Sequence, residues 1–264
     1  MRDLLSDIEA GSTVDPVKRA RALSRRELPK RFYKEVQVAR QDDGLHAVQL
    51  DGRPVKTTGR NLLALAEEEI ARGIAGEWDA QGKEIDPATM PLTRIANVAI
   101  DAVPERAGEV ADDVAAYAGN DLLFYRAETP QSLVERQNAI WGPVLSWAEA
   151  RFGGRFVLAE GVMPVRQDAA LLARIREALS PLAPLPLAAL HVATTLSGSA
   201  LLALALMEGE LSADEAWAAA FVDEDWNIEH WGEDPEAAAL RASRRRDFDA
   251  AALILNVCAG RGLD

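Results

Sequence analysis

The segment of residues 222–234 holds the side chains whose types and spacing most suggest chemistry. It reads Val-Asp-Glu-Asp-Trp-Asn-Ile-Glu-His-Trp-Gly-Glu-Asp, so carboxylates stand beside two tryptophans and a histidine. Asp223, Asp225 and Asn227 have the spacing of the first three ligands of a calcium-binding hand, and Asp234 falls at the twelfth position. A calcium loop is therefore one candidate for this segment, and an acidic surface for a basic partner is another.

The calcium interpretation has two defects. Ile228 occupies the sixth position, where the sharp turn of the loop requires glycine. The twelfth position is Asp234, where a bidentate Glu is typical. Both defects favour partner binding over metal binding, although a calcium-responsive adaptor stays open as an alternative.

Other catalytic and metal-binding patterns are absent from the sequence. It has no glycine-rich phosphate loop, no nucleophile elbow and no His-Glu-x-x-His motif, and its three histidines and single cysteine form no local zinc set. We expect no cofactor, no metal and no catalysis. His191 is predicted to be a core histidine bonded to a carbonyl, and Asp112 and Asp113 are predicted to be solvated. A hydrolase or transferase that uses paired carboxylates stays open as the second alternative.

Charge separates the first 34 residues from the rest of the chain. They carry nine Lys or Arg against five Asp or Glu, a net charge of +4, while the remaining residues carry −17. This acidic body argues against nucleic acid as a partner. The single cysteine, Cys258, cannot form an internal disulfide, so a reducing compartment such as a bacterial cytoplasm is expected.

Residues 179–207 contain no charged side chain, which raises the question of a membrane span. Pro181, Pro184 and Pro186 interrupt the start of this run, and Ser197-Gly198-Ser199 interrupts its middle. Each uninterrupted piece is too short to cross a bilayer. The run therefore predicts two buried helices that meet at a kink of small residues, and no integral membrane segment.

The pattern of the whole chain predicts an α+β protein with three parts. Residues 1–29 form a flexible N-terminal arm. Residues 30–128 form an α+β domain, in which a β-meander with turns at 41–44 and 51–52 precedes helices near 67–81, 92–103 and 106–118. Residues 129–264 form a second, helical domain. Ser212 and Glu215 have the spacing of a capping box, so a helix begins there and leads into segment 222–234.

Several short motifs together resemble a known family, the assembly chaperones of F-type ATP synthase that bind the α subunit of its catalytic head. They occur in the family's order and cover about residues 30–240. The matching stretches are Arg31-Phe32-Tyr33-Lys34, Leu50-Asp51-Gly52-Arg53-Pro54-Val55-Lys56-Thr57, Glu77-Trp78-Asp79-Ala80-Gln81, Met90-Pro91-Leu92-Thr93, Asp121-Leu122-Leu123 and Glu229-His230-Trp231-Gly232.

The resemblance implies an N-terminal α+β domain followed by an orthogonal, all-helical bundle over residues 129–264. It also implies a chaperone that is not an enzyme and uses no cofactor. It implies binding of the free α subunit, so that the surface destined for the β subunit stays covered until assembly. The location it implies is the bacterial cytoplasm, or the mitochondrial matrix for eukaryotic relatives, and we expect a monomer. Carried over to this chain, a client-binding role falls on Asp223, Glu224, Asp225 and Trp231. A structural role falls on Trp78, Asp79 and Gly232.

Overall fold

In a computed structural model of the chain, residues 28–160 and 165–261 are described. The predicted arm over 1–29 lies outside these residues except for its last two positions. The predicted division into 30–128 and 129–264 remains a prediction. A small sheet early in the chain, followed by helices, confirms the predicted α+β class.

The chain contains a small and a large compact unit. The described part of the small unit is held by backbone bonds between two short stretches. Lys30 and Glu84 form an isolated antiparallel bridge, and the Arg31 amide donates to the Lys83 carbonyl at 2.9 Å. Among the described residues, the small unit comprises 28–32 and 81–86, and the large unit comprises 33–80, 87–160 and 165–261.

The large unit begins with a four-stranded antiparallel sheet. Its strands are β1 (Val36–Arg40), β2 (His46–Leu50), β3 (Arg53–Pro54) and β4 (Ala64–Leu65). β2 pairs with β1 along its whole length and with β3 and β4 on its other edge. Asp51 and Gly52 have φ angles of 49° and 75°, as the tight turn between β2 and β3 requires. The predicted β-meander is therefore confirmed, with a β3 of only two residues.

Ten helices follow within the described residues. They are α1 (Glu68–Asp79), α2 (Pro91–Asp101), α3 (Val103–Gly119), α4 (Gln131–Phe152), α5 (Ala169–Leu179), α6 (Pro184–Ser197), α7 (Ala200–Glu208), α8 (Ala213–Ala220), α9 (Val222–Trp231) and α10 (Pro235–Cys258). The predicted helices near 67–81, 92–103 and 106–118 correspond to α1, α2 and α3. Two short strands, β5 (Tyr125–Arg126) and β6 (Ala159–Glu160), form a parallel pair that the sequence pattern did not predict.

The uncharged run forms the centre of the helical part. α6 and α7 meet at Gly198, which has a φ of 69°, so the predicted kink between two buried helices is confirmed. Every α7 residue from Ala200 to Leu206 is buried, and α6 packs against α2, α3, α7 and α10. None of the helices in the described ranges is long and apolar enough to cross a membrane.

Asp121 connects this core to the preceding segment. Its carboxylate is fully buried and accepts the Leu123 amide at 3.1 Å and the Leu201 amide at 3.0 Å. Leu201 lies in the first turn of α7, where backbone N–H groups lack intrahelical acceptors. Burial raises the pKa of Asp121 to about 6. The carboxylate therefore caps a helix from a residue eighty positions away in sequence.

Two polar contacts fix the helices next to α9. Trp141 on α4 is buried, and its Nε1 donates to the Ala219 carbonyl on α8 at 2.7 Å. The predicted capping box at the start of α8 is confirmed, since the Glu215 amide donates to the Ser212 hydroxyl and the Ser212 amide donates to the Glu215 carboxylate. Because α9 follows α8 directly, these contacts set where α9 begins.

Asp101, at the end of α2, collects four donors from the loop after β3. Its carboxylate accepts the Thr57 hydroxyl at 2.5 Å, the Gly59 amide at 2.7 Å, the Asn61 side-chain amide at 2.9 Å and the Thr58 hydroxyl at 3.1 Å. The bonds from Thr57 and Asn61 are the main reason that the pKa of Asp101 is lowered to about 2. Hydrogen bonds to the charged form stabilise it.

Asp101→Asn should change how stability depends on pH. The pKa of Asp101 is lowered by folding from 3.8 to about 2, so its ionised form stabilises the native state above about pH 4 and this contribution disappears as the pH falls towards 2. Urea unfolding between pH 6 and 2.5 should show the wild type losing its advantage over the variant in this window. A difference that stays constant with pH would contradict the prediction, and Asp42→Asn in the exposed β1–β2 turn is the matched control.

Candidate functional site

The acidic segment proposed as the site is a helix, and this corrects the loop that a calcium site would need. Asp223, Glu224 and Asp225 occupy the first turn of α9, where carboxylates interact favourably with the helix dipole. Gly232 ends the helix with a φ of 87°, a conformation that disfavours other residues. No group of three or more His, Cys, Asp or Glu side chains in the described ranges is placed to hold a metal ion.

Three carboxylates of α9 are bonded to the neighbouring helices. Asp223 accepts the side-chain amide of Gln137 on α4 at 2.7 Å. Asp225 pairs with Arg241 on α10 at 2.6 Å. Glu229 pairs with Arg136 on α4 through two bonds. Asp223 and Asp225, both predicted to bind the client, thus have intramolecular partners.

The pair between Arg136 and Glu229 is bidentate. Two guanidinium nitrogens of Arg136 donate to the two carboxylate oxygens of Glu229 at 2.9 and 2.7 Å. These bonds lower the pKa of Glu229 and raise the pKa of Arg136. Such paired geometry fixes orientation as well as distance, so it sets the direction of α9 along α4.

Aromatic contacts complete the fixed sides of α9. The Trp226 and His230 rings are stacked, with centroids 3.9 Å apart and planes 21° apart. The ring Nδ1 of His230 lies 2.7 Å from the Trp226 carbonyl. The Arg241 guanidinium lies 4.9 Å from the centre of the Phe221 ring, just before the helix begins. A cation over an aromatic face adds to the ion pair that Arg241 makes with Asp225.

The remaining face of α9 opens onto a hollow of about 300 Å³ between α9 and α10. Glu224, Ile228 and Trp231 line it from α9, and Leu240 and Arg244 line it from α10. The Trp231 side chain is 73% exposed and Leu240 is 61% exposed. Glu224 is exposed as well and forms no hydrogen bond or ion pair with any described residue. Of the four predicted client-binding residues, the structure brings Glu224 and Trp231 to one free surface.

The predicted structural residues lie elsewhere. Trp78, on α1, is half-buried and meets the Tyr33 ring edge-on at a centroid distance of 5.7 Å. The Tyr33 hydroxyl donates to the Trp78 carbonyl at 2.6 Å, while the indole Nε1 is buried without an acceptor in the described chain. Asp79 is the last, exposed residue of α1. Neither Trp78 nor Asp79 lines the α9–α10 hollow.

The prediction for His191 was wrong. Its Nε2 lies 2.7 Å from Asp113 on α3, with a side chain 34% exposed, so it is not a core histidine bonded to a carbonyl. Asp112 and Asp113 are exposed, as expected, although Asp112 is also bonded to Arg176 on α5. No hydroxyl of a described residue is bonded to the His191 ring, so its carboxylate partner does not complete a nucleophilic triad.

Leu240 and Arg241 are the functional-site residues that the sequence interpretation missed. The available signal was helical spacing after Pro235: Ala237, Leu240, Arg241 and Arg244 recur every three or four residues and so share one face of α10. Which neighbour that face meets could not be read from spacing. The structure shows that it meets α9.

Asp225→Asn and Glu224→Gln should separate the fixed side of α9 from its free side. Asp225→Asn should lower the free energy of unfolding by about 1 kcal/mol, because Arg241 loses its ionic partner in a half-buried site. Glu224→Gln should change it by less than about 0.5 kcal/mol, since no described residue is bonded to Glu224. Urea unfolding at pH 7 measures both, and equal losses would contradict the assignment.

Comparison with known proteins places this chain in a family. The model of a family described as ATP12 chaperone protein matches residues 30–149. Protein atp12, mitochondrial, of Schizosaccharomyces pombe is 24% identical over 241 residues, covering 87% of this chain and 82% of that protein.

Solved structures agree with this match. The Atu1473 protein of Agrobacterium tumefaciens is 45% identical and superposes with a TM-score of 0.82, covering 97% of this chain and 96% of that one. Atp12 from Paracoccus denitrificans is 39% identical with a TM-score of 0.78, covering 87% of this chain and 98% of that one. This chain belongs to the ATP12 chaperone family.

Proposed function

We propose that this protein is an assembly chaperone of F-type ATP synthase that binds the free α subunit of the catalytic head. It covers the α-subunit surface that later contacts the β subunit. Family membership supports the chaperone role. The observation that carries the proposed site is the free face of α9, where exposed Glu224 and Trp231 flank an apolar hollow.

The α9–α10 surface has the composition of a protein contact site. Trp231 and Leu240 are two of the most exposed large apolar side chains in the described chain, and they line the same hollow. Exposed apolar surface of this kind marks interaction sites, and tryptophan is enriched among residues that dominate binding energy. An unassembled subunit exposes apolar interface that aggregates unless it is covered. Trp231 is therefore the proposed apolar anchor.

Charge supports attraction of a basic client segment. The chain carries a net charge of −13, and Glu224, Glu233 and Asp234 line the hollow beside Arg244 and the paired Arg241. Rim charges change association rates more than the final affinity. Glu224 is thus proposed to guide the client, while the apolar groups hold it.

No observation favours the alternatives. The adjacent acids Asp112 and Asp113 are bonded to Arg176 and His191, so they do not form a free carboxylate pair for acid–base chemistry. The calcium alternative needs a loop where the structure has α9. We propose that the chaperone works by binding alone, and that it does so as a monomer in the compartment where α subunits are made, which in a bacterium is the cytoplasm.

The direct test is a refolding assay with isolated α subunit. The wild-type protein should keep the α subunit soluble after dilution from denaturant, and it should co-purify with the α subunit from cells. Aggregation of the α subunit at the same rate with and without this protein would refute the proposed function.

Glu224→Lys should weaken α-subunit binding about fivefold to tenfold, because a cation replaces the anion that faces the client. The free energy of unfolding should stay near that of the wild type. Binding is measured by titration of labelled α subunit. Asp42→Lys makes the same charge change at an exposed site in the β1–β2 turn and should bind normally. Loss of folding in Glu224→Lys would show that the residue is structural.

Trp231→Ala should weaken binding by more than tenfold, since truncation of a central tryptophan commonly costs about 2 kcal/mol or more. The unbound protein should retain its melting temperature, because 73% of the Trp231 side chain is already exposed. Leu158→Ala, at another exposed apolar position, is the matched control. Unchanged affinity of Trp231→Ala would remove the α9–α10 hollow from the proposed site.

A further inference from the structure

A second hollow, of about 340 Å³, lies between α4, α7 and α8. Its lining is mainly apolar and includes Ile140, Val144 and Trp147 from α4 and Leu211 from the turn before α8. None of these residues belongs to the surface proposed above. The hollow has room for a large apolar side chain of a bound segment.

This second hollow continues into the proposed client-binding surface. A depression of about 270 Å³ shares Ile140 and Ala218 with it. The same depression shares Ile228 with the hollow between α9 and α10. The three recesses are therefore neighbours that share lining residues from α4 to α9, and together they are called the track.

The charges at the second hollow have one sign. Glu210 and Glu215 are its only charged lining residues, and both are exposed. Glu210 is bonded to no side chain in the described ranges. The Ser212 amide and hydroxyl each donate to Glu215 at 2.8 Å and lower its pKa, so Glu215 stays ionised at neutral pH. An apolar floor with two carboxylates at its edge complements an apolar side chain next to a cation.

We propose that the hollow between α4, α7 and α8 is a second contact site for the client, and that it takes a large apolar side chain adjacent to a Lys or Arg. This inference rests on the proposed function and extends its surface along α4. On α4, Arg136 marks the depression and Trp147 marks the second hollow. These two residues are eleven positions apart, which corresponds to about 16 Å along a helix. About five residues of extended client chain cover that distance.

Photo-crosslinking tests the track directly. A photoreactive amino acid replaces Leu211 in one version of the full chain, Trp231 in a second and Asp42 in a third, and each is irradiated with purified α subunit. We expect crosslinks to the α subunit from positions 211 and 231 and none from position 42. A crosslink from position 231 alone would overturn the second site and leave the proposed function intact.

Other outcomes are equally distinct. A crosslink from position 211 to a second copy of this chain would overturn the client assignment in favour of self-association. If the wild-type protein does not retain the α subunit at all, the proposed function fails, and the second site fails with it.

Two substitutions give an independent measure. Leu211→Ser should weaken α-subunit binding about tenfold, because an apolar contact with the client is lost. Glu210→Lys should weaken it about fivefold, because the charge at the edge of the hollow is reversed. Glu210 is exposed, so Glu210→Lys should keep the melting temperature of the wild type, whereas Leu211 is half-buried and Leu211→Ser should lower it slightly while the protein stays folded. The control Asp42→Lys should bind normally. Wild-type affinity in folded Leu211→Ser and Glu210→Lys would overturn the inference.

Discussion

The proposed binding surface depends on how polar bonds hold a short helix in place. Val222 is the only fully buried residue of α9, and a helix of ten residues is marginal in isolation. Apolar burial therefore contributes little to its position. The pairs Asp225–Arg241 and Glu229–Arg136 fix it to α10 and α4 instead. These partners engage Asp225 and Glu229, whereas Glu224 and Trp231 of the same helix are left exposed.

In the rest of the fold, carboxylates within the motifs that resemble the family also fix one part of the chain to another. Asp51 accepts the amides of Lys34 and Glu35, which joins two motifs on neighbouring strands. Glu77 accepts the amides of Leu92 and Thr93 at the start of α2, and Asp121 caps α7 in the same way. Each bond satisfies backbone N–H groups that would otherwise lack an acceptor. The motifs that reveal the family therefore specify its architecture more than its binding surface.

This explains which features could be predicted from the sequence. Local signals were sufficient for the meander turns at Gly44 and Gly52, for the capping box at Ser212 and for the kink at Gly198, because each depends on residues within a few positions. Segment 222–234 was harder. Its charges lie on every side of the helix, so the apolar periodicity that identifies a surface helix is missing.

Features that need a distant partner could not be found from spacing. His191 pairs with Asp113, seventy-eight positions away in the sequence. β5 pairs with β6, although all of α4 lies between them in the sequence. Similarly, adjacent residues Glu224 and Asp225 look equivalent in sequence, and only the position of Arg241 makes one structural and the other free. The division of labour within the acidic triplet is thus a property of the tertiary structure.

The division has a consequence for a chaperone that must release its client. The groups proposed to meet the client are solvent-exposed, and exposed ion pairs contribute only about 0.2–1 kcal/mol each. Such charges increase the rate of encounter while adding little to the lifetime of the complex. The bidentate pair between Arg136 and Glu229 is intramolecular, so it fixes α9 whether or not the client is bound. We expect a surface built in this way to capture a free subunit quickly and to yield it to a partner with a larger, more apolar interface.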